Sequence, residues 1–87
     1  MPTQILATAS TAANSADIVV ADGASLPVGL KGVADTKARV LIFLKDDGGG
    51  YNGVGELSAL RPATVIAAPG TFRFTRIAGA ACGVFSG

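Results

Sequence analysis

The chain has 87 residues, a formal net charge of +1 and no histidine. This length allows a single domain with one small core, and the near-neutral charge argues against a dedicated nucleic-acid-binding protein. Charged residues make up only 15% of the chain, against ~25% in ordinary soluble domains. This apolar composition predicts that part of the protein surface is buried against a partner in a complex.

The same composition argues against a membrane-spanning, secreted or disulfide-bonded protein. No apolar run approaches the ~20 residues of a membrane-spanning helix, and residues 1–16 lack the basic segment of a secretory signal. The single cysteine, Cys82, allows no internal disulfide, which is typical of proteins that fold in a cytoplasm.

Residues 1–16 are rich in Thr, Ser and Ala. They are predicted to form either a short edge strand at Thr3–Ala9 or an N-terminal arm that orders only against a neighbour. Residues 17–87 are predicted to be a single β-domain.

The large apolar side chains of the N-terminal segment are Ile5 and Leu6. They are predicted partner contacts, because an arm of this kind can lie across a neighbouring subunit or add a strand to an exposed sheet edge. On this interpretation, removing residues 1–14 leaves the remaining β-fold intact.

Short β-type runs follow, with turn signals every ~8–12 residues, the signature of an antiparallel sandwich or small barrel. The predicted fold class is therefore all-β, a small antiparallel β-sandwich or barrel of about six or seven short strands. The runs are Asp17–Val20, Ser25–Gly32, Arg39–Lys45, Tyr51–Leu57, Ala63–Ala68, Thr71–Ile77 and Cys82–Phe85.

The stretch from Ala38 to Leu57 is predicted to be a β-hairpin with a central strand, a glycine-rich acidic tip and a return strand. In the return strand, alternation places Tyr51, Gly53, Gly55 and Leu57 on one face. Two glycines at this spacing favour a bulge or the close approach of another backbone.

Pro27 has no N–H for a β-ladder, so its strand is predicted to lie at a sheet edge or to begin there. Alternation within the strands also predicts the core. The predicted core residues are Ile18, Val20, Leu26, Val28, Leu30, Val40, Ile42, Leu44, Val65, Phe72 and Phe74.

No residue pattern indicates catalysis, a metal site or a cofactor site. Cys82 lies in an apolar stretch without a neighbouring base, which favours a buried structural thiol over a nucleophile. Asp46 and Asp47 lack the alternating carboxylates of a calcium loop, so a solvated hairpin tip is the better interpretation. The glycines that follow lack the Lys-Ser/Thr of a phosphate loop. We therefore expect that the protein is not an enzyme and binds no cofactor.

Tyr51 is the single tyrosine and follows the glycine tip. An exposed aromatic there can stack on a sugar or anchor in a partner's pocket. Packing of the ring over its own hairpin is the favoured alternative.

Three stretches, ARVLIFLKDDGGGYNGVGEL, LRPATVIAAPGTFRFTR and CGVFSG, resemble short virion structural proteins of tailed bacteriophages. APGTFRFTR is also similar to the strand corner of immunoglobulin-like sandwiches, with Phe72 in place of the tyrosine, so the corner hydrogen bond of that hydroxyl cannot form. No functional residue carries over from either resemblance.

The phage resemblance implies a structural virion protein assembled in the bacterial host cytoplasm. Its first implied role is a capsid decoration (cement) protein, a homo-oligomer that stabilises the phage head by binding capsomers of the major capsid protein. The alternatives are a small head–tail or tail accessory protein that binds another virion protein, and a host-carbohydrate-binding module that uses Tyr51. No nucleic acid or membrane partner is implied.

Overall fold

The computed structural model describes residues 3–33, 37–79 and 81–86, which form nine β-strands and no helix. The strands are β1 (Thr3–Ala9), β2 (Ala13–Asn14), β3 (Ile18–Val20), β4 (Leu26–Lys31), β5 (Arg39–Lys45), β6 (Tyr51–Ser58), β7 (Ala63–Ile66), β8 (Gly70–Arg76) and β9 (Cys82–Ser86).

The strands form two antiparallel sheets. Sheet A has the order β1-β9-β4-β7, and sheet B has the order β2-β8-β5-β6, with β3 also paired to β8. The predicted all-β sandwich is therefore confirmed, although the chain forms more strands than expected. One of the additional strands, β2, lies in a polar segment whose small side chains gave no β-type pattern.

The strand pairs are nested along the chain. The first strand pairs with the last, β1 with β9. Moving inward along the chain, β2 and β3 pair with β8, β4 pairs with β7, and β5 pairs with β6 at the centre. Because β9 also pairs with β4 and β8 with β5, this long antiparallel ribbon is rolled into two facing sheets. Counting β2 and β3 as one interrupted strand, the strand order is that of an eight-stranded jelly roll.

The interruption between β2 and β3 is held in place by Ser15, which is buried. Its backbone N–H donates to the carbonyl oxygen of Phe74 at 2.7 Å, and its Oγ accepts from the Phe74 N–H at 2.9 Å. This side chain thus continues the ladder to β8 through the kink, and the kink brings Asp17 over the outer face of sheet B.

The core lies between the sheets. All predicted core residues are buried or pack partly buried against it except Val65, which is 60% exposed because it faces outward on the edge strand β7. The predicted burial of the Cys82 thiol is confirmed. The buried apolar residues beyond the predicted set are Leu6, Ala38, Leu57, Cys82 and Val84.

The central hairpin pairs β5 with β6, and β5 lies inside sheet B between β8 and β6, as predicted. The predicted bulge is also present. Ile42 pairs with Gly55 and Phe43 with Gly53, so Val54 is an extra residue in β6. The bulge reverses the faces, and the prediction that Tyr51, Gly53, Gly55 and Leu57 share one face is therefore wrong.

Strand β4 is internal to sheet A, which corrects the alternative that placed it at an edge. It tolerates Pro27 because β9 pairs with β4 only from Val28 onward, and the proline precedes that ladder.

The N-terminal segment is a strand of the fold. β1 pairs with β9 along sheet A and contributes the buried side chain of Leu6 to the core. The two strands approach closely at Gly83, where a Cβ would lie 2.7 Å from the carbonyl oxygen of Leu6 and 2.9 Å from the Thr8 nitrogen. Glycine is therefore the residue that lets β1 dock at this point.

Arg76 is a buried cation at the end of β8. Its Nε donates to the carbonyl oxygen of Thr11 at 2.6 Å, and its Nη1 donates to those of Ala7 at 2.7 Å and Cys82 at 3.0 Å. One guanidinium on sheet B therefore satisfies carbonyl groups of β1, β9 and the loop after β1, and it ties the two sheets together on this side.

The pairing of β1 with β9 argues against the expectation that residues 1–14 can be removed without loss of the fold. We predict that the truncated chain does not fold cooperatively, because it lacks β1, its buried leucine and two of the acceptors of Arg76. Circular dichroism with thermal unfolding measures this. A truncated chain that keeps its β-signal and a sigmoidal transition would contradict the prediction.

Replacing Arg76 with Met should lower the free energy of unfolding by about 2–4 kcal/mol, because three carbonyl groups lose their donor. Urea unfolding measures the change. Arg61→Met is the matched control: Arg61 is exposed, its side chain has no hydrogen-bond or ion-pair partner among the described residues, and its replacement should change stability by no more than ~0.5 kcal/mol. Equal effects of the two variants would refute the role of the buried guanidinium.

Candidate functional site

One side of the sandwich is open between strands β6 and β7. β6 is the edge of sheet B and β7 is the edge of sheet A, and they are consecutive in the chain. In the described part of the chain, no further strand pairs with the outer side of either one. Unpaired N–H and C=O groups at such edges are able to pair with another chain.

A cleft of about 350 Å³ lies between these two edges. Its floor contains core side chains of sheet B, namely Ile42, Leu44 and Phe72. Gly55 faces Ile42 at this point, and a Cβ there would lie 3.7 Å from Ile42 Cδ1. The cleft is open because β6 has no side chain at this inward position.

The rim of the cleft and the loop beside it carry exposed apolar side chains. Leu60 is 95% exposed, Val65 60% and Val54 54%. The segment from Pro62 to Pro69 contains no charged residue, and its flanking prolines keep β7 short. We name this region, formed by Val54, Leu60, Val65 and the cleft, the open edge. Exposed apolar side chains gathered in one place typically mark an interaction surface.

Two charged side chains line the cleft. Glu56 forms an ion pair with Arg39 on the neighbouring strand. Arg61 has no side-chain partner among the described residues, so its charge is available to a bound molecule.

A second cluster lies on the outer face of sheet B. The guanidinium carbon of Arg73 is 3.7 Å from the ring centre of Tyr51 and 5.7 Å from that of Phe43. The Tyr51 hydroxyl donates to the Asp17 carboxylate, with oxygen distances of 2.8 and 3.0 Å, and Lys45 Nζ is 3.8 Å from Asp17 Oδ2. We name these five residues the outer-face cluster.

The hydrogen bond to Asp17 raises the pKa of Tyr51 above its ordinary value of 10.0, because ionising the phenol would remove the donor. Partial desolvation and the charge of Asp17 act in the same direction, and Arg73 opposes them. The raised pKa extends to higher pH the range in which the protonated phenol donates to Asp17.

The three residues predicted to contact a partner lie in different environments in the structure. Tyr51 begins β6, and its ring lies against Arg73 of β8 and 5.9 Å from Lys45 Nζ of its own hairpin. Ile5 is partly buried and packs against the core. Leu6 is 7% exposed inside the core, which leaves its side chain no surface for a partner. A contact role for Tyr51 and Ile5 stays a prediction.

The acidic hairpin tip is organised by Asp46. Its Oδ1 accepts from the backbone N–H groups of Gly48 at 2.9 Å and Gly50 at 2.8 Å, and its Oδ2 accepts from the Asn52 amide at 3.0 Å. Within the described residues, no group of three His, Cys, Asp or Glu side chains is placed to hold a metal ion, and none of the described segments is a helix long and apolar enough to cross a membrane.

The hydrogen bonds from Asn52 and from the glycine amides lower the pKa of Asp46 below its ordinary value of 3.8. The order that this carboxylate gives the tip should therefore be complete above pH ~3.8 and be lost as the pH falls through the lower, folded-state pKa. NMR titration of the Gly48 and Gly50 amides measures that midpoint. Asp46→Asn should abolish the transition, and a midpoint above 3.8 would contradict the assignment.

Comparison with known proteins supports the fold. No protein-family model matches the chain, and no curated protein matches it. The crystal structure of the SPBc2 prophage-derived protein YomS is similar to this one, with a TM-score of 0.72 over 99% of this chain and 88% of that chain, at 12% sequence identity. At this identity the likeness shows that the two proteins share a fold.

Proposed function

We propose that this protein is a structural component of a bacteriophage particle, and that it acts as a capsid decoration protein, binding capsomers through its open edge. The open edge is the observation that carries the proposal. It combines two strand edges without a partner in the described residues with exposed apolar side chains around an apolar cleft. Such a surface favours contact with another protein subunit over contact with solvent.

The unpaired strands and the apolar cleft of the open edge suit a stable contact with another protein. An extended segment of the major capsid protein would pair its backbone with β6 or β7, and its apolar side chains would enter the cleft, as in other strand-addition complexes. This contact with the capsid protein would cover Leu60 and Val65, which an isolated monomer exposes.

A phage origin is supported by two independent lines. The sequence resembles short virion structural proteins of tailed phages, and a prophage-derived protein has the same fold at low sequence identity. Since a fold hosts many functions, the role in the particle rests on the open edge rather than on this likeness.

Binding without catalysis is part of the proposal. The chain has no histidine. The Asp46 carboxylate accepts three hydrogen bonds and is occupied in ordering the hairpin tip. Cys82 is buried, and its thiol forms no hydrogen bond with a described residue; Arg76 donates to its backbone carbonyl oxygen.

Counting copies per particle, by quantitative gel analysis of purified virions, tests the proposal. Hundreds of copies are expected for a capsid lattice. About six or twelve would replace the capsid role with that of a tail or head–tail ring, and the absence of the protein from virions would refute a structural role.

The double variant Leu60→Lys and Val65→Lys should lower particle occupancy by about tenfold or more, because two charges would enter an apolar contact. Both side chains are exposed, so the free energy of unfolding should change by less than ~0.5 kcal/mol per site. Val19→Lys is the matched control, since Val19 is 75% exposed but lies on β3, at the side of sheet B opposite β6 and the open edge. Undiminished occupancy of the double variant would rule out the open edge as the contact.

A further inference from the structure

The outer-face cluster holds an arginine in a fixed position. Arg73 lies in the middle of β8 and pairs across the sheet with Phe43. Its guanidinium stacks on Tyr51, whose hydroxyl is itself held by Asp17. The cation is thus ordered by the aromatic rings of β5 and β6 before any ligand arrives.

Among the residues that the structure describes, this guanidinium has no hydrogen-bond acceptor. None of its N–H groups donates to a described residue, and its Nε is buried without any partner. Asp17 is the acidic residue closest to it in the cluster, but its carboxylate is engaged by Tyr51 and Lys45 and forms no ion pair with Arg73. A buried N–H without an acceptor is uncommon in folded proteins, and the terminal N–H groups of the same guanidinium are free of described partners and can donate to an outside acceptor.

We propose that Arg73 is a binding site for a carboxylate, contributed by an aspartate or glutamate side chain of a protein partner. A planar guanidinium matches a carboxylate through paired N–H···O bonds, and it can stack on an aromatic ring at the same time. In this site Tyr51 would support one face of the guanidinium while its terminal nitrogens bind the acid. The identity of the partner as a protein of the phage particle rests on the proposed function, whereas carboxylate binding by Arg73 does not depend on it.

The charges around the site favour a single carboxylate over a polyanion. The cluster contains two cations, Arg73 and Lys45, and one anion, Asp17, so its net charge is small. A nucleic acid would need a row of cations along its phosphates, and Asp17 would repel it. A sugar would need a free aromatic face, and Arg73 covers a face of Tyr51 at 3.7 Å.

The composition of the site is also that of an interaction hot spot. Tyrosine and arginine are enriched among residues that dominate binding energy in protein interfaces. Because Tyr51, itself held by Asp17, already orders the arginine, binding would cost less conformational entropy than it would for a free arginine side chain.

NMR of the arginine side-chain N–H groups, with acetate as the probe, tests the proposal on the isolated, full-length protein. Arg61 is the internal reference, since it is exposed and has neither a stacking ring nor an acceptor among the described residues. We expect the N–H chemical shifts of Arg73 to saturate on addition of acetate. The affinity for acetate obtained at Arg73 should be at least about threefold higher than that obtained at Arg61.

Two variants separate carboxylate binding from general charge effects. Tyr51→Phe keeps the stacked ring and should retain most of the saturable shift, whereas Tyr51→Leu should reduce it to the level of Arg61. Parallel titration with inorganic phosphate should give a weaker response at Arg73. If Arg73 titrates like Arg61, or if phosphate binds more tightly than acetate, the proposal is overturned.

The measurement needs no particle, so its outcome is separate from that of the copy count. Saturable acetate binding by a protein that is absent from virions would support the site and reject the virion role. In purified particles, Arg73→Gln should lower occupancy while leaving the fold of the free protein unchanged, and full occupancy would count against this site as the contact.

Discussion

The two sheets are joined most tightly through the guanidinium of Arg76. It extends from the last residue of β8, in sheet B, to carbonyl groups of β1 and β9 in sheet A. A buried charge is costly unless every neighbouring group is arranged to satisfy it, so the position of β1 and the loop after it is constrained by this one side chain. The N-terminal strand is part of the fold for this reason, in addition to the burial of Leu6.

The sandwich is consequently asymmetric. Its β1–β2 side is joined by Arg76, whereas its β6–β7 side has the open edge. On that side Gly55 supplies no side chain to the space between the sheets. A domain this small gains limited stability from its own core, and a partner that fills the cleft would add apolar burial to it.

The fold class was predictable because most strands carry alternating or β-branched runs between turn signals, and the bulge was predictable from the glycine pair in β6. Other features depend on contacts that no local pattern reports. β2 contains only small or polar residues and is a strand because β8 supplies its partners. Val65 has the same local pattern as a core valine, and only the sheet order places it on an exposed edge face.

The candidate sites were likewise only partly predictable from the sequence. Alternation along β8 assigns Phe72 and Phe74 to the core face, and its continuation reaches Arg76, a signal for a buried cation. It assigns Arg73 to the opposite face, but the stacking of Arg73 on Tyr51 requires knowledge that β5 lies between β8 and β6. The cleft likewise exists only once β6 and β7 are known to be edges of different sheets.

The open edge and the outer-face cluster are both built on β6, and this shared strand has a physical consequence. Its bulge at Val54 turns Gly55 toward the cleft and Tyr51 toward Arg73, so each surface uses a different face of one strand. A partner segment that paired with the edge of β6 would therefore lie within reach of both. An apolar residue of that segment could enter the cleft while an acidic residue further along reached Arg73, and the two contacts would then strengthen each other because a single segment makes both.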